Sequence, residues 1–161
     1  SMQRSFPQPP VQRIALFAQT GPALVEALPY TFIFATRRQD SLMSMNDAVC
    51  SYRRRINAYS HQGTLAEAWF AQQERERTET HLQQLYQDTL QQGKASRIRR
   101  WPDLRQKLLL AHFGQFLQSD YDTIIQQLLL DQAVRCEWRK PANSEEAGLQ
   151  IPGNDDTLFW R

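Results

Sequence analysis

Glycine is scarce in this chain, with six residues dispersed at positions 21, 63, 93, 114, 148 and 153. That dispersal excludes a glycine-rich phosphate loop, and neither the dinucleotide fingerprint nor the catalytic serine elbow is present. Cysteine is scarcer still. Cys50 and Cys136 are too few for a disulfide scaffold, so a reduced, cytoplasmic setting is expected. The three histidines, His61, His81 and His112, are isolated from one another. No local Cys/His spacing reads as a zinc site, and no metal is expected. Nowhere do apolar residues run for the roughly 18 positions that a membrane-spanning helix needs, so no membrane partner is expected. The first ten residues are polar and proline-rich with no apolar signal core, and Ser1 ahead of Met2 reads as a scar of tag cleavage.

What the chain does have is the balance of an ordinary globular protein. Its 161 residues are 41% hydrophobic and 22% charged, enough for one domain or two small lobes sharing a core. The net charge of +2 hides an asymmetry. Residues 1–101 carry 13 Lys and Arg against 8 Asp and Glu, an excess of five positive charges. Residues 102–161 carry 6 against 9, an excess of three negative charges. The positive excess is clustered at Arg37-Arg38, at Arg53-Arg54-Arg55, and at Lys94 with Arg97, Arg99 and Arg100. Arginines beside Tyr52 and Trp101 suit phosphate contact and base stacking. The plainer reading of the same clusters is a solvated helix face plus cations favoured at helix C-termini.

Along the chain, residues 1–10 are expected to be an extended lead-in. Residues 11–62 form a strand-strand-helix unit. VQRIALFAQ (11–19) and YTFIFAT (30–36) read as strands separated by a turn at Thr20-Gly21-Pro22, and the apolar run of the second predicts burial on both its faces. Two strands do not make a stable sheet alone, so a partner or further strands must complete it. Residues 40–56 read as a helix whose apolar face is Leu42, Met45, Val49, Tyr52 and Ile56. Residues 63–101 form a connecting helix and basic linker. Thr64 with Glu67 has capping-box spacing, and Gly93 stands where a helix C-cap would. The thin face Leu82, Leu85, Tyr86 and Leu90 is expected to pack within the chain, with a coiled-coil homodimer as the alternative. Residues 102–161 form a winged-helix-like unit. Pro102-Asp103 opens a helix with the stripe Leu104, Leu108, Leu109 and Phe113. Asp120 is expected to N-cap a helix over 121–132, and residues 134–139 pair as a hairpin with strand from 149–151 and 157–160. The fold class is therefore α+β, mostly helical: an N-terminal β-hairpin and helix, a long connecting helix, and a winged-helix-like C-terminal half.

The chemistry on offer is thin. Cys50 beside Arg53–Arg55 has two readings, a thiol activated by cations or a buried helix residue, and the second is expected. His112 beside the apolar stripe reads as structural, Asp155-Asp156 as a strand terminator, and Glu145-Glu146 as a solvated wing tip. No converging set of polar groups is recognisable as catalytic.

Three segments together resemble one family. YTFIFATRRQDSLMSMNDAV (30–49) is similar to the closing strand and following helix of the three-Cys-motif partner proteins, methyltransferase-like proteins of bacterial mobile and defence-associated loci. LRQKLLLAHFGQ (104–115) is similar to the first helix of their C-terminal winged-helix region, and LQIPGNDDTLFW (149–160) to their final hairpin. AWFAQQERER (68–77) takes the place of their variable connector. The resemblance implies the C-terminal part of that family, without the half that carries the S-adenosylmethionine loop. It therefore transfers no catalytic or cofactor residue, and no cofactor is expected. The chain departs from the pattern in two places. Residues 113–121 are too few for a middle helix, and the segment in the recognition-helix position has Asp120, Asp122 and Asp131 with no Lys or Arg.

These observations favour a non-enzymatic binding module. It would contact nucleic acid through a basic ridge of Arg53, Arg54, Arg55, Lys94, Arg97, Arg99, Arg100 and Trp101. The alternative is a protein-interaction subunit or inhibitor that uses the long helix and an open sheet edge. A fragment of a methyltransferase-like enzyme ranks last.

Overall fold

Ile33–Thr36, the described end of the aromatic and β-branched stretch, forms a strand, as its composition predicts. In the computed structural model, which describes residues 12–15, 33–141 and 150–161, β2 (Ile33–Thr36) pairs antiparallel with β1 (Gln12–Ala15). Gln12 lies opposite Thr36 and Ala15 opposite Ile33. The lead-in, the turn at 20–22 and the remainder of both expected strands lie outside the described residues. Burial on both faces of β2 is not found. Ala35 is exposed between half-buried Phe34 and Thr36, the alternation of a strand covered on one face. Arg37 and Arg38 follow in the open, with the Arg38 N–H donating to the Thr36 hydroxyl at 3.1 Å.

The chain divides into two compact units, residues 1–42 and 43–161, and the division falls inside α1 (Gln39–His61). The second unit is helical with one hairpin. Its other elements are α2 (Glu67–Ala95), α3 (Trp101–Ala111), α4 (Gln118–Leu130), β3 (Val134–Glu137) and β4 (Thr157–Trp160). The fold is α+β and mostly helical. After α3 and α4 the chain forms an antiparallel hairpin, with Val134 opposite Trp160 and Glu137 opposite Thr157. Residues 150 and 151 are not part of it, and the loop 142–149 lies outside the described residues.

Burial follows helical periodicity in α3 and α4. Leu104, Leu108 and Leu109 of α3 and Tyr121, Ile124, Ile125 and Leu128 of α4 are buried, together with Leu85 of α2 and Val134 and Leu158 of the hairpin. The long helix α2 packs on α4, α3 and β4, so its thin apolar face is used within the chain. Only its C-terminal half does this. From Glu67 to Gln84 no residue of α2 is buried.

Three local expectations are corrected. The buried stripe of α1 in the second unit is Asn46 and Cys50, while Tyr52 is exposed. A polar residue takes the core position because the neighbouring chain offers it hydrogen bonds. Thr64 does not cap α2: its hydroxyl donates to the His61 carbonyl at 2.8 Å, finishing α1, while Ala66 is the N-cap. Asp120 is not an N-cap but the third residue of α4, and its carboxylate accepts the Leu117 N–H at 2.8 Å. That bond supplies the reach-back half of a capping box.

Gly93 does not end α2 either. The helix runs on to Ala95, and Gly93 is buried in its last turns against Trp160 of β4. A Cβ at position 93 would run into the indole ring. Gly93→Ala therefore sets a helix-propensity gain of about 1 kcal/mol against an overpacking cost of about 1–3 kcal/mol. The expected outcome is a melting temperature lowered by a few degrees in thermal denaturation. A rise, as propensity alone demands, would overturn this packing account.

Candidate nucleic-acid interface

The basic clusters are positioned by two different pieces of structure. Arg53, Arg54 and Arg55 lie on α1, which is held against the turn between α3 and α4. Gly114 opens that turn with a φ of +71°, a backbone conformation that favours glycine, and an added Cβ would meet Val49 of α1 at 2.7 Å. Asn46, fully buried, accepts the Gly114 N–H at 2.8 Å and donates to the Phe116 carbonyl at 2.7 Å. Asp47 accepts the Gln118 N–H at 2.9 Å, and the Cys50 thiol points at the Gln115 carbonyl at 3.4 Å.

Two of the α1 arginines join the same docking. Arg53 reaches the Gly114 carbonyl at 3.4 Å. Arg54 pairs with Asp120 at 2.8 Å, its side chain still 43% exposed. Such a pair is worth about 0–1 kcal/mol, yet it neutralises the charge it holds. Arg55 alone of the three has no partner among the described residues.

The second cluster lies on the linker between α2 and α3. Ser96 and Arg100 have extended backbone angles, and exposed Arg97 and Arg99 alternate with half-buried Ile98, the two-residue period of a strand. The Leu158 N–H donates to the Arg99 carbonyl at 2.7 Å, which lays the linker alongside β4. Lys94, Arg97, Arg99 and Arg100 are all exposed. Trp101 is not. It is fully buried at the start of α3, so its ring has no face to offer a base.

The two clusters stand at opposite ends of α3. The linker enters its first residue, and the α1 arginines meet the chain just beyond its last. Eleven residues at about 1.5 Å each separate the ends by roughly 16 Å.

Alongside the linker the hairpin contributes two residues that sequence reasoning missed. Phe159 of β4 lies opposite Arg135 of β3 and next to the linker's Arg99. The Arg135 guanidinium is 5.0 Å from the Phe159 ring centroid and that of Arg99 is 5.8 Å from it. Each such contact is worth about 0.5–1 kcal/mol at an exposed site, which biases a guanidinium toward the ring without cancelling its charge. Among the described residues neither arginine has a carboxylate partner. The signal available in sequence was the alternation in VRCEWR and TLFW, which puts Arg135 and Phe159 on outward positions once the hairpin register is known.

The hairpin is fixed in turn by Asp156. This nearly buried carboxylate accepts the Arg139 N–H at 2.9 Å and the Gly153 N–H at 2.8 Å, while neighbouring Asp155 pairs with Arg139 at 3.3 Å on the surface. His112 lies 3.2 Å from Asp88 of α2 and edge-on to Phe116, in the structural position expected. Among the described residues no three His, Cys, Asp or Glu side chains converge as a metal site, and no helix is long and apolar enough to cross a membrane. No family model, curated protein or solved structure matches the chain.

Neither thiol is activated. Burial pushes the Cys50 thiol above its ordinary value, outweighing the opposing pull of Arg54. Burial, with Asp156 nearby, pushes the Cys136 thiol up to about 12. Because the folded chain favours both thiols in their neutral form, stability is fully present below the ordinary thiol range near 9. It declines as pH rises from there toward 12. Thiol-disulfide reagents at mildly alkaline pH are expected to modify neither cysteine until the chain is unfolded. Rapid modification of native protein would contradict the burial described.

Proposed function

We propose that this chain is a non-enzymatic binding module that contacts nucleic acid through the linker and hairpin. The residues concerned are Arg97, Arg99, Arg100 and Arg135 around Phe159. The observation that carries the reading is the pair of exposed, carboxylate-free guanidiniums held against one half-buried aromatic ring. Phosphates supply the complementary charge, and guanidinium planes and aromatic rings both stack on bases. Arg53 and Arg54 belong to the docking of α1 in this reading, and Trp101 to the core. The free, buried or half-buried thiols of Cys50 and Cys136 suit a reducing, cytoplasmic setting.

A second reading, a protein-interaction subunit built on the long helix, rests on a different feature. The N-terminal half of α2 is unburied, and Trp69 at its start and Tyr59 at the end of α1 are 58% and 66% exposed.

Fluorescence polarisation with labelled DNA and RNA at low and moderate salt separates the two. Simultaneous charge reversal of Arg97, Arg99 and Arg100 is expected to weaken binding at least about tenfold. The slope of log affinity against log salt should flatten by roughly 0.7–0.9 for each phosphate that the variant no longer neutralises. Arg55→Glu, at the other end of α3, should leave binding nearly unchanged. Equal binding by the triple variant and the parent would overturn the linker assignment. Absence of binding at low salt would move the function to the exposed half of α2.

A further inference from the structure

We infer that the linker-hairpin face takes an unpaired nucleic-acid strand in preference to a duplex. This deepens the reading above and rests on it.

The first part of the argument is what a duplex would need. In a helix-helix-hairpin unit the helix placed to enter a major groove is the second, and it must bring cations to the phosphates that flank the groove. Here that helix is α4, and from Gln118 to Leu130 it contains no Lys or Arg. Its acids are tied into the fold. Asp120 holds Arg54, and Asp122 holds Arg105 of α3 at 3.0 Å. Asp131, at the C-cap, accepts the Tyr86 hydroxyl and the Gln127 amide, both at 2.8 Å. The exposed positions of α4 include Ser119, Thr123 and Gln127, which are neutral. Nothing on this helix attracts a second phosphate backbone, and the carboxylate of Asp131 repels one.

The second part is what the basic face offers instead. Linker, β4 and β3 run side by side, so Arg99, Phe159 and Arg135 form a row across three neighbouring segments. Arg97 extends the row along the linker. This is a strip of planar groups with positive charge, one that a single strand can follow with its bases laid flat. A base inside a duplex is already stacked on both faces, so the ring and guanidinium planes gain no stacking from it and only the guanidinium N–H edges are left to contact it. Among the described residues of β3 and β4 the exposed acid is Glu137, two residues from Arg135, and it bounds the strip on that side.

The test uses the full chain and three fluorescein-labelled probes of equal length: oligothymidine, oligouridine and a blunt mixed-sequence DNA duplex. Polarisation at moderate salt is expected to show at least one of the two single strands bound roughly tenfold or more tightly than the duplex. The two single-strand arms tell DNA from RNA. Phe159→Leu, which keeps an apolar residue on β4, should weaken single-strand binding by about 5- to 150-fold while leaving duplex binding in place. Retained duplex binding serves as the control that the variant is folded. Arg135→Gln gives an independent second variant with the same direction of effect. Duplex bound as tightly as both single strands overturns this inference and leaves the nucleic-acid reading standing. So does a single-strand preference that survives both substitutions. Failure to bind any of the three probes at low salt overturns the nucleic-acid reading itself.

Discussion

Between α3 and α4 the chain reverses through backbone groups that neither helix can satisfy, and Asn46 of α1 takes two of them at once. Its side-chain amide is fully buried, so each bond replaces one that water would otherwise make. Leaving such a group unpaired costs about 1–3 kcal/mol. The other α1 contacts extend the same solution: Asp47 on the Gln118 N–H, Cys50 on the Gln115 carbonyl and Arg53 on the Gly114 carbonyl. The turn owes its sharpness to Gly114, whose missing side chain also lets Val49 approach. This seam of side-chain to main-chain bonds fixes the turn that leads into α4, and α2 packs against the helix itself.

The seam sorts the basic residues by role. On α1, charge is used inside the molecule, where Arg53 answers a carbonyl of the α3–α4 turn and Arg54 a carboxylate in the first turn of α4. On the linker, carboxylate partners are missing among the described residues, and an aromatic ring takes their place. A cation-π contact orients a guanidinium while leaving its N–H edges and its net charge available, which an ion pair does not. The two arginine clusters look alike in sequence. Only the partners that tertiary structure brings to them set them apart.

Much of the fold was legible because apolar spacing is a local property. The stripes of α3 and α4, the break between α1 and α2, and the alternation in VRCEWR and TLFW all follow from residues within one or two turns of each other. Two of the misreadings have the opposite cause. Asn46 stood outside the apolar face expected for α1, because the partners that make it a core residue lie about seventy positions away. Gly93 looked like a helix stop because Trp160, the side chain that requires its bareness, is likewise far along the chain. Trp101 looked like a stacking residue because it follows Arg99 and Arg100 and Pro102 reads as the opening of the helix, although its spacing to Leu104 and Leu108 already continues the buried stripe. The same distance hid the site. Arg99, Arg135 and Phe159 come from three segments, and no window of sequence contains them together.

The order of these segments along the chain has a consequence for biogenesis. β4 follows every other element described, yet it supplies Leu158 to the core, Trp160 to the groove over Gly93, and Phe159 to the arginine row. On a ribosome, α2, the linker and α3 emerge first and must wait with an apolar flank uncovered and the row of planar groups unassembled. Contacts of such long sequence separation also slow folding from a denatured chain, because the loop-closure entropy must be met before they form. The nascent protein therefore carries its basic linker for some time without the hairpin that organises it. Assembly of the row is coupled to closure of the core rather than preceding it.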